Sequence, residues 1–136
     1  MRLLPQVQQM LEEMQKSVQN LVSEGVCSAS DIAAAIDRGR ILMTGESCRK
    51  IDALSRSLGV LGDPTRARIL FLLIGGEMCV CEIEAALNVR QANASHHLRV
   101  MEQAGLLKRT KKSRRAFYSA VSGELTELVG RAVEGA

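Results

Sequence analysis

The 136-residue chain contains very few aromatic side chains: no tryptophan, one tyrosine and two phenylalanines. Modules that bind RNA or single-stranded nucleic acid usually stack bases on exposed aromatic rings. The scarcity of rings therefore argues against that class of function. Hydrophobic residues still make up 46% of the chain, which is typical of a folded domain and argues against wholesale disorder. The core must be built from aliphatic residues and methionine.

The sequence also lacks the continuous apolar run of roughly 20 residues that a membrane-spanning helix needs. Its first residues, MRLLPQVQQMLEEMQ, contain neither the apolar stretch nor the small-residue cleavage site of a secretory signal peptide. We therefore expect a cytoplasmic protein with no membrane partner, whose thiols are kept reduced. Its four cysteines, Cys27, Cys48, Cys79 and Cys81, are then expected to be free thiols, metal ligands or redox sensors rather than structural disulfides.

Positive charge is concentrated in one short segment. The chain has a net charge of +3, but six of the eight residues of KRTKKSRR, 108–115, are cationic. The rest of the chain is therefore net acidic. A cationic patch of this density indicates a polyanionic partner. The alternative is a solvated surface loop.

The first 50 residues predict a helical extension. Apolar residues recur at spacings of three and four, as in the seam of a helix that packs on another helix, either across a dimer or within one chain. They are Leu4, Val7, Leu11, Met14, Val18 and Leu21. Gly25 should end this helix, and SASD, 28–31, should begin a short one that Arg38 and Gly39 end near Asp37. The run RILMTGES that follows is ambiguous.

Residues 51–136 predict a second domain. An amphipathic helix is expected to begin at Ser47, just before this domain, and to continue into it as far as Leu61. The next helix should be capped by Asp63, begin at Pro64 and end at Gly75-Gly76. Its apolar residues lie on the side expected to face the core.

Two short helices, from about Val80 to Leu87 and from about Gln91 to Gln103, are joined by a tight turn and match a helix-turn-helix unit. GLLKRT and AFYSAV then predict two strands of a hairpin joined by KKSRR, and a last helix covers about 123–133. The predicted fold is mainly α with a small β-hairpin. It is a winged helix-turn-helix DNA-binding domain, residues 51–136, with an N-terminal helical extension, residues 1–50, for dimerisation and sensing.

The second helix of this unit is the predicted DNA-reading helix, because short, amide-bearing or cationic side chains cluster near its start. They are Gln91, Asn93, Ser95, His96 and Arg99. His97 is expected to pack against the core instead. The cations of the wing should bind phosphates; they are Lys108, Arg109, Lys111, Lys112, Arg114 and Arg115. One such domain covers one half-site, so we expect a homodimer on double-stranded operator DNA.

Four segments between about Leu58 and Val121 occur in a specific order: LGDPTRARIL, EMCVCEIEAAL, SHHLRVMEQAGLLKR and RRAFYSAV. Together they resemble the ArsR/SmtB family of metal- and metalloid-responsive repressors. The resemblance implies a dimer that binds operator DNA and is released by an inducer. It implies neither an enzyme nor an organic cofactor. In members that sense arsenite, antimonite, cadmium or lead, the cysteines of CVC are inducer ligands, and Cys79 and Cys81 match them.

The chain departs from the family pattern near this motif and at its two ends. Arsenite sensors often have a third cysteine where this chain has Glu84, and the last helix lacks the histidine of zinc and cobalt sensors. The resemblance also implies three thiolates for arsenite or lead, whereas cadmium, like zinc, usually takes four ligands. Cys27 or Cys48, from either protomer, would then supply the rest, although the two lack the close spacing found in cadmium and lead sensors. The alternative is that both are small buried apolar residues.

The position of CVC at a helix start bears on what its thiols can do. Within a helix, residues i and i+2 point to nearly opposite sides, but Cys79 is predicted near the N-cap in extended geometry, from which both sulfurs can face one site. A helix N-terminus favours the thiolate, and thiolates suit soft, thiophilic ions. Three interpretations stay open. They are a repressor released by a thiophilic ion, a redox- or persulfide-sensing repressor that forms a disulfide (Cys79–Cys81 or Cys27–Cys48), and a constitutive DNA-binding protein with inert cysteines. Without a thioredoxin-like βαβ pattern, a thiol enzyme is not expected.

Overall fold

The computed structural model describes residues 16–135. These residues fall into two compact units that meet in sequence between Lys50 and Ile51. Leu4, Val7, Leu11 and Met14 of the predicted helical seam lie outside the described residues. Within residues 16–135, no helix is both long enough and apolar enough to cross a bilayer.

The first unit is helical. Residues 16–23 form α1, and Gly25 follows it with a φ of 75°, so the predicted end of this helix is confirmed. Helix α2 spans Ala29–Thr44 and α3 spans Glu46–Leu61, across the boundary between the units.

The prediction that Arg38 and Gly39 end the second helix is wrong, because α2 continues through both and ends before Gly45. A glycine typically ends a helix by adopting positive φ, and Gly39 is not among the residues that do. In a helical conformation it costs only about 1 kcal/mol relative to alanine. The apolar run that follows is helical as well, so the helix propagates to Thr44.

The second unit has four further helices and three strands. In chain order they are α4 (Pro64–Ile74), β1 (Met78–Cys79), α5 (Val80–Leu87), α6 (Gln91–Gln103), β2 (Leu107–Lys112), β3 (Arg115–Ala120) and α7 (Glu124–Glu134). Helices α5 and α6 are joined by a short turn in which Asn88 adopts a left-handed conformation, with φ of 52° and ψ of 49°. The predicted winged helix-turn-helix is confirmed.

The sheet is antiparallel with strand order β1-β3-β2, so it contains one more strand than the predicted hairpin. Strand β1 has only two residues, and its Cys79 lies opposite Phe117 of β3. The loop of the hairpin is also shorter than KKSRR, since Lys112 pairs with Arg115. The turn is made by Ser113 and Arg114 alone. Ser113 has a φ of 56°, the left-handed geometry that tight hairpin turns require at their first central residue.

One hydrophobic core holds this second unit together, and it is aliphatic apart from Met101 and Tyr118, as the composition predicts. Its buried members are Ile69, Leu70, Leu73, Ile83, Leu98, Met101, Leu106, Leu107 and Tyr118. They come from α4, α5, α6, β2, β3 and, for Leu106, the residue before β2. The helix-turn-helix and the wing therefore share a single core.

Helix α4 begins at a complete N-cap, as predicted. Asp63 Oδ1 accepts hydrogen bonds from the backbone N–H of Thr65 at 2.8 Å and of Arg66 at 3.1 Å, and Pro64 occupies the first helical position. These bonds, led by the one from Arg66, hold the pKa of the Asp63 carboxyl below its ordinary value. The charged form of Asp63 is thus favoured in the folded chain.

The Asp63 cap predicts a pH dependence of stability. Because the pKa of Asp63 is lower in the folded than in the unfolded chain, its contribution is present above the unfolded pKa and is lost as the pH falls through the folded one. Asparagine also caps helices but does not titrate. At neutral pH we expect Asp63→Asn to unfold close to the wild-type temperature and Asp63→Ala clearly below it, measured by circular dichroism. Between about pH 5 and about pH 2 the wild type should lose more stability than Asp63→Asn; equal losses would contradict the assignment.

Candidate functional site

Helix α6 divides into a buried face and an exposed one. Ala94, Leu98 and Met101 are buried in the core. The predicted DNA-reading side chains all lie on the exposed part of the helix: Gln91, Asn93, Ser95, His96 and Arg99. The helix thus presents amide, hydroxyl, imidazole and guanidinium groups together, and these are the groups that read base edges in a major groove.

His97 has the packed position predicted for it. It is half-buried, and its Nδ1 lies 3.4 Å from Nη1 of Arg66. The Nε of Arg66 donates to the carbonyl of Val60 at 2.6 Å. Arg66 therefore links the end of α3 and the first turn of α4 to α6.

All six cations of the wing are exposed, but two of them are engaged by other residues of the chain. Lys112 forms an ion pair with Glu77. Lys112 Nζ and Arg115 Cζ also lie 5.6 and 5.7 Å from the centre of the Phe117 ring, within range of a cation–π interaction. Across residues 16–135, no carboxylate pairs with the other four. These are Lys108, Arg109, Lys111 and Arg114.

The two cysteines of CVC differ sharply in burial. Cys79 is 2% exposed and occupies the N-cap of α5 with extended backbone angles, φ −81° and ψ 167°. Cys81, the second residue of the helix, is exposed. Sequence reasoning predicted the N-cap position and the extended geometry. It did not predict that one sulfur lies inside the protein and the other at its surface.

Glu82 completes a capping box with Cys79, a pair that sequence reasoning missed. Its Oε1 accepts a hydrogen bond from the Cys79 N–H at 3.1 Å. A hydrogen bond with the Cys79 side chain is the main cause that lowers the pKa of the Glu82 carboxyl, and the backbone bond and the charge of Arg115 add to it. The sequence carries only half of the usual signal, because a capping box is typically Ser or Thr followed three positions later by glutamate, and here the first residue is a cysteine.

Arg115 brings the wing to the thiol, since its Nη1 lies 4.0 Å from the Cys79 sulfur. The Glu77–Lys112 ion pair makes a second link between the residues before α5 and the wing. No sequence pattern predicts either contact, because the partners are 35 and 36 residues apart and meet only through the pairing of β1 with β3.

Thiolate sulfur is the right donor for a soft ion, but the described part of the chain does not present a complete ligand set. Within residues 16–135, no three cysteine, histidine, aspartate or glutamate side chains are grouped so that they could hold a metal ion. Cys27 and Cys48 are half-buried free thiols of the first unit. Cys79 and Cys81 would need to bring their sulfurs together before both could bind one ion.

Comparison with known proteins identifies the helix-turn-helix region. Residues 63–109 match the family described as "Bacterial regulatory protein, arsR family". The HTH-type transcriptional regulator MJ1325 of Methanocaldococcus jannaschii is 37% identical over 81 residues, which cover 59% of this chain and 91% of that protein. A homologue of the cadmium resistance regulatory protein CadC from Staphylococcus aureus is 36% identical over 73 residues, 53% of this chain and 60% of the relative.

A solved structure extends the similarity to the fold. The homodimeric winged helix-turn-helix DNA-binding domain of Mb0332 from Mycobacterium bovis, a possible ArsR-family transcriptional regulator, superposes with a TM-score of 0.57. It is 26% identical to this chain, and the match covers 65% of this chain and 82% of that one.

The difference in burial predicts different reactivities for Cys79 and Cys81. An alkylating reagent should modify the exposed Cys81 in the folded protein, whereas Cys79 reacts only when the start of α5 opens locally. Mass spectrometry of timed samples treated with iodoacetamide should therefore show Cys81 modified well before Cys79. Denaturant should bring the two rates together. Equal rates in the folded protein would contradict the buried position of Cys79.

Proposed function

This chain belongs to the ArsR family of bacterial regulatory proteins, and we propose that it is a repressor released from its operator when a thiophilic metal or metalloid ion binds cysteine thiolates. As a family member it is a transcriptional regulator and not an enzyme. The observation that carries the DNA-binding part is the exposed polar face of α6 beside a wing of six cations. The thiol part is carried by CVC at the start of α5.

For the DNA complex we propose that α6 enters the major groove and the wing follows the backbone. Asn93 and Gln91 would bind adenine through their amides, and Ser95, His96 and Arg99 would contact neighbouring bases or phosphates. The wing cations neutralise phosphates, so they contribute affinity that depends strongly on salt and little on sequence.

We further propose that a second copy of the chain completes the DNA-binding unit. On α3, Ile51, Leu54 and Leu58 recur at helical spacing, and each is nearly half exposed. On α7, Leu128 and Val133 are each 58% exposed. A partner protomer would remove this apolar surface from water. The homodimeric relative supports such an arrangement, and we assign to residues 1–50 a part in dimerisation and sensing.

Charge introduced on the apolar face of α3 should dissociate the dimer. Leu54→Glu places a carboxylate in the proposed interface, where it would be buried without a partner. Ser55→Glu adds the same charge at the next position, which is also exposed and points to another side of the helix. Sedimentation equilibrium should give a monomer for Leu54→Glu and a dimer for Ser55→Glu and the wild type. Dimers of equal strength in all three would rule out this face.

The proposed inducer ligands are Cys79 and Cys81. Two thiolates leave a soft ion short of donors, and Cys27 and Cys48 are the only other cysteines of the chain. We propose that one of them supplies a third sulfur, from the same or the partner protomer. The relative named as a cadmium resistance regulator supports cadmium as one candidate inducer. Lead, arsenite and antimonite share its affinity for sulfur.

The experiment begins with an operator selected from random duplexes by the reduced protein. Fluorescence anisotropy of this duplex then follows release by cadmium, lead, arsenite, antimonite and zinc, and afterwards by peroxide and polysulfide. We expect a thiophilic ion to release the wild type and to leave Cys79→Ser and Cys81→Ser bound. Cys27→Ser and Cys48→Ser identify the third ligand by which of them fails to respond. For the reduced wild type, the slope of log Kd against log salt concentration should be about 0.9 for each phosphate that the protein contacts.

Other outcomes of this titration select the alternatives. Release by oxidant or polysulfide alone would replace the ion sensor by a thiol-redox or persulfide repressor. Indifference to every compound, with tight operator binding, would leave a constitutive DNA-binding protein with inert cysteines. Absence of any selected duplex would contradict the repressor itself.

A further inference from the structure

Strand β1 connects the thiol site to the wing at three separate points. Its backbone pairs with β3, with Cys79 opposite Phe117. Glu77, the residue before β1, forms the ion pair with Lys112. The Cys79 sulfur itself lies 4.0 Å from Nη1 of Arg115. Two of the six wing cations therefore contact this segment: Lys112 contacts Glu77, and Arg115 contacts Cys79.

Because of this geometry, a movement of the Cys79 side chain also disturbs the contacts between β1 and the wing. Its sulfur is buried, whereas that of Cys81 is exposed. A ligand shared by both sulfurs requires Cys79 to turn away from the core. That movement changes the N-cap of α5, where Glu82 binds the Cys79 backbone, and it changes the surroundings of Arg115.

A shift of β1 also affects the wing. The cationic groups of Lys112 and Arg115 lie 5.6 and 5.7 Å from the centre of the Phe117 ring, while the Phe117 backbone is the pairing partner of Cys79. A shift of β1 is therefore expected to move Phe117, whose ring lies near both cations. Helix α6 follows α5 in the chain after a short connecting turn.

We propose that Glu77 and Arg115 are positioning residues that transmit the state of Cys79 to the wing through β1. When Cys79 and Cys81 are occupied, β1 shifts against β3, and Lys112 and Arg115 are withdrawn from the DNA backbone. This inference rests on the proposed thiol-controlled repressor and adds that the wing, in addition to the reading helix, responds to the thiols.

The first test uses a readout that needs no DNA. Hydrogen–deuterium exchange of the full-length reduced protein is followed by mass spectrometry with and without cadmium ions. Ultraviolet thiolate-to-metal charge-transfer absorption reports binding of cadmium in the same samples. We expect cadmium to speed exchange in residues 115–120 of the wild type and to change nothing there in Cys79→Ser. Unchanged exchange in the wild type with cadmium bound to the thiols would overturn the inference.

The second test removes one link and leaves the thiols and the wing cations in place. Glu77→Gln breaks the ion pair with Lys112, and Glu77→Asp keeps the carboxylate. Glu127→Gln is the matched control, because Glu127 also forms an exposed ion pair, with Arg131 on α7. The measured quantity is the ratio of operator Kd with and without cadmium.

An exposed ion pair contributes little, so we expect Glu77→Gln to reduce that ratio by about two- to fivefold. Glu77→Asp and Glu127→Gln should keep the wild-type ratio, and cadmium should bind all three equally. A wild-type ratio in Glu77→Gln would overturn the role of Glu77. Operator release with an unresponsive wing would overturn the inference and leave the proposed function standing. A responsive wing without release would overturn the proposed function, and failure of cadmium to bind the thiols would overturn both.

Discussion

The pairing of Cys79 with Phe117 joins the two halves of the DNA-binding unit. At this one residue a strand of the sheet ends and the first helix of the helix-turn-helix begins. The backbone on one side is held by the wing, and the N–H of Cys79 is held by Glu82 on the other. Met78 and Val80, the residues on either side of Cys79, pack against the shared core, so a movement of Cys79 reaches both the wing and α5. The residue that carries the buried thiol is therefore also the point at which the wing and α5 are connected.

The reading helix depends on a division between its two faces. Every third or fourth residue of α6 is buried against α5, the wing and α4, and His97 on the same helix contacts Arg66. The polar side chains near its start, among them Gln91, Asn93 and Ser95, are thereby held outward and exposed. An exposed and unoccupied set of amides and hydroxyls on a rigid helix is what sequence-specific binding requires, because little flexibility is lost when DNA binds.

Much of this architecture follows from local sequence signals. Asp63, Pro64 and the glycines after Ile74 define α4 because capping and termination are short-range effects. The failures have physical causes as well. Gly39 lies within a helix because a helical glycine costs only about 1 kcal/mol relative to alanine, and the residues after it continue the helix to Thr44. Strand β1 has no pattern of its own, since two residues cannot show a period. The position of Cys79 and Cys81 at the start of α5 could be predicted, but the burial of Cys79 and its contact with Arg115 could not, because both depend on strand register.

The two-residue turn at Ser113 and Arg114 has a consequence for the shape of the wing. Because the strands continue to Lys112 and resume at Arg115, most of the cations lie on regular strand rather than on a loose loop. Side chains alternate between the two faces of a strand. Lys108 and Lys112 thus project to one side of the hairpin, and Arg109 and Lys111 to the other. The wing is therefore a thin ribbon that carries positive charge on both of its sides.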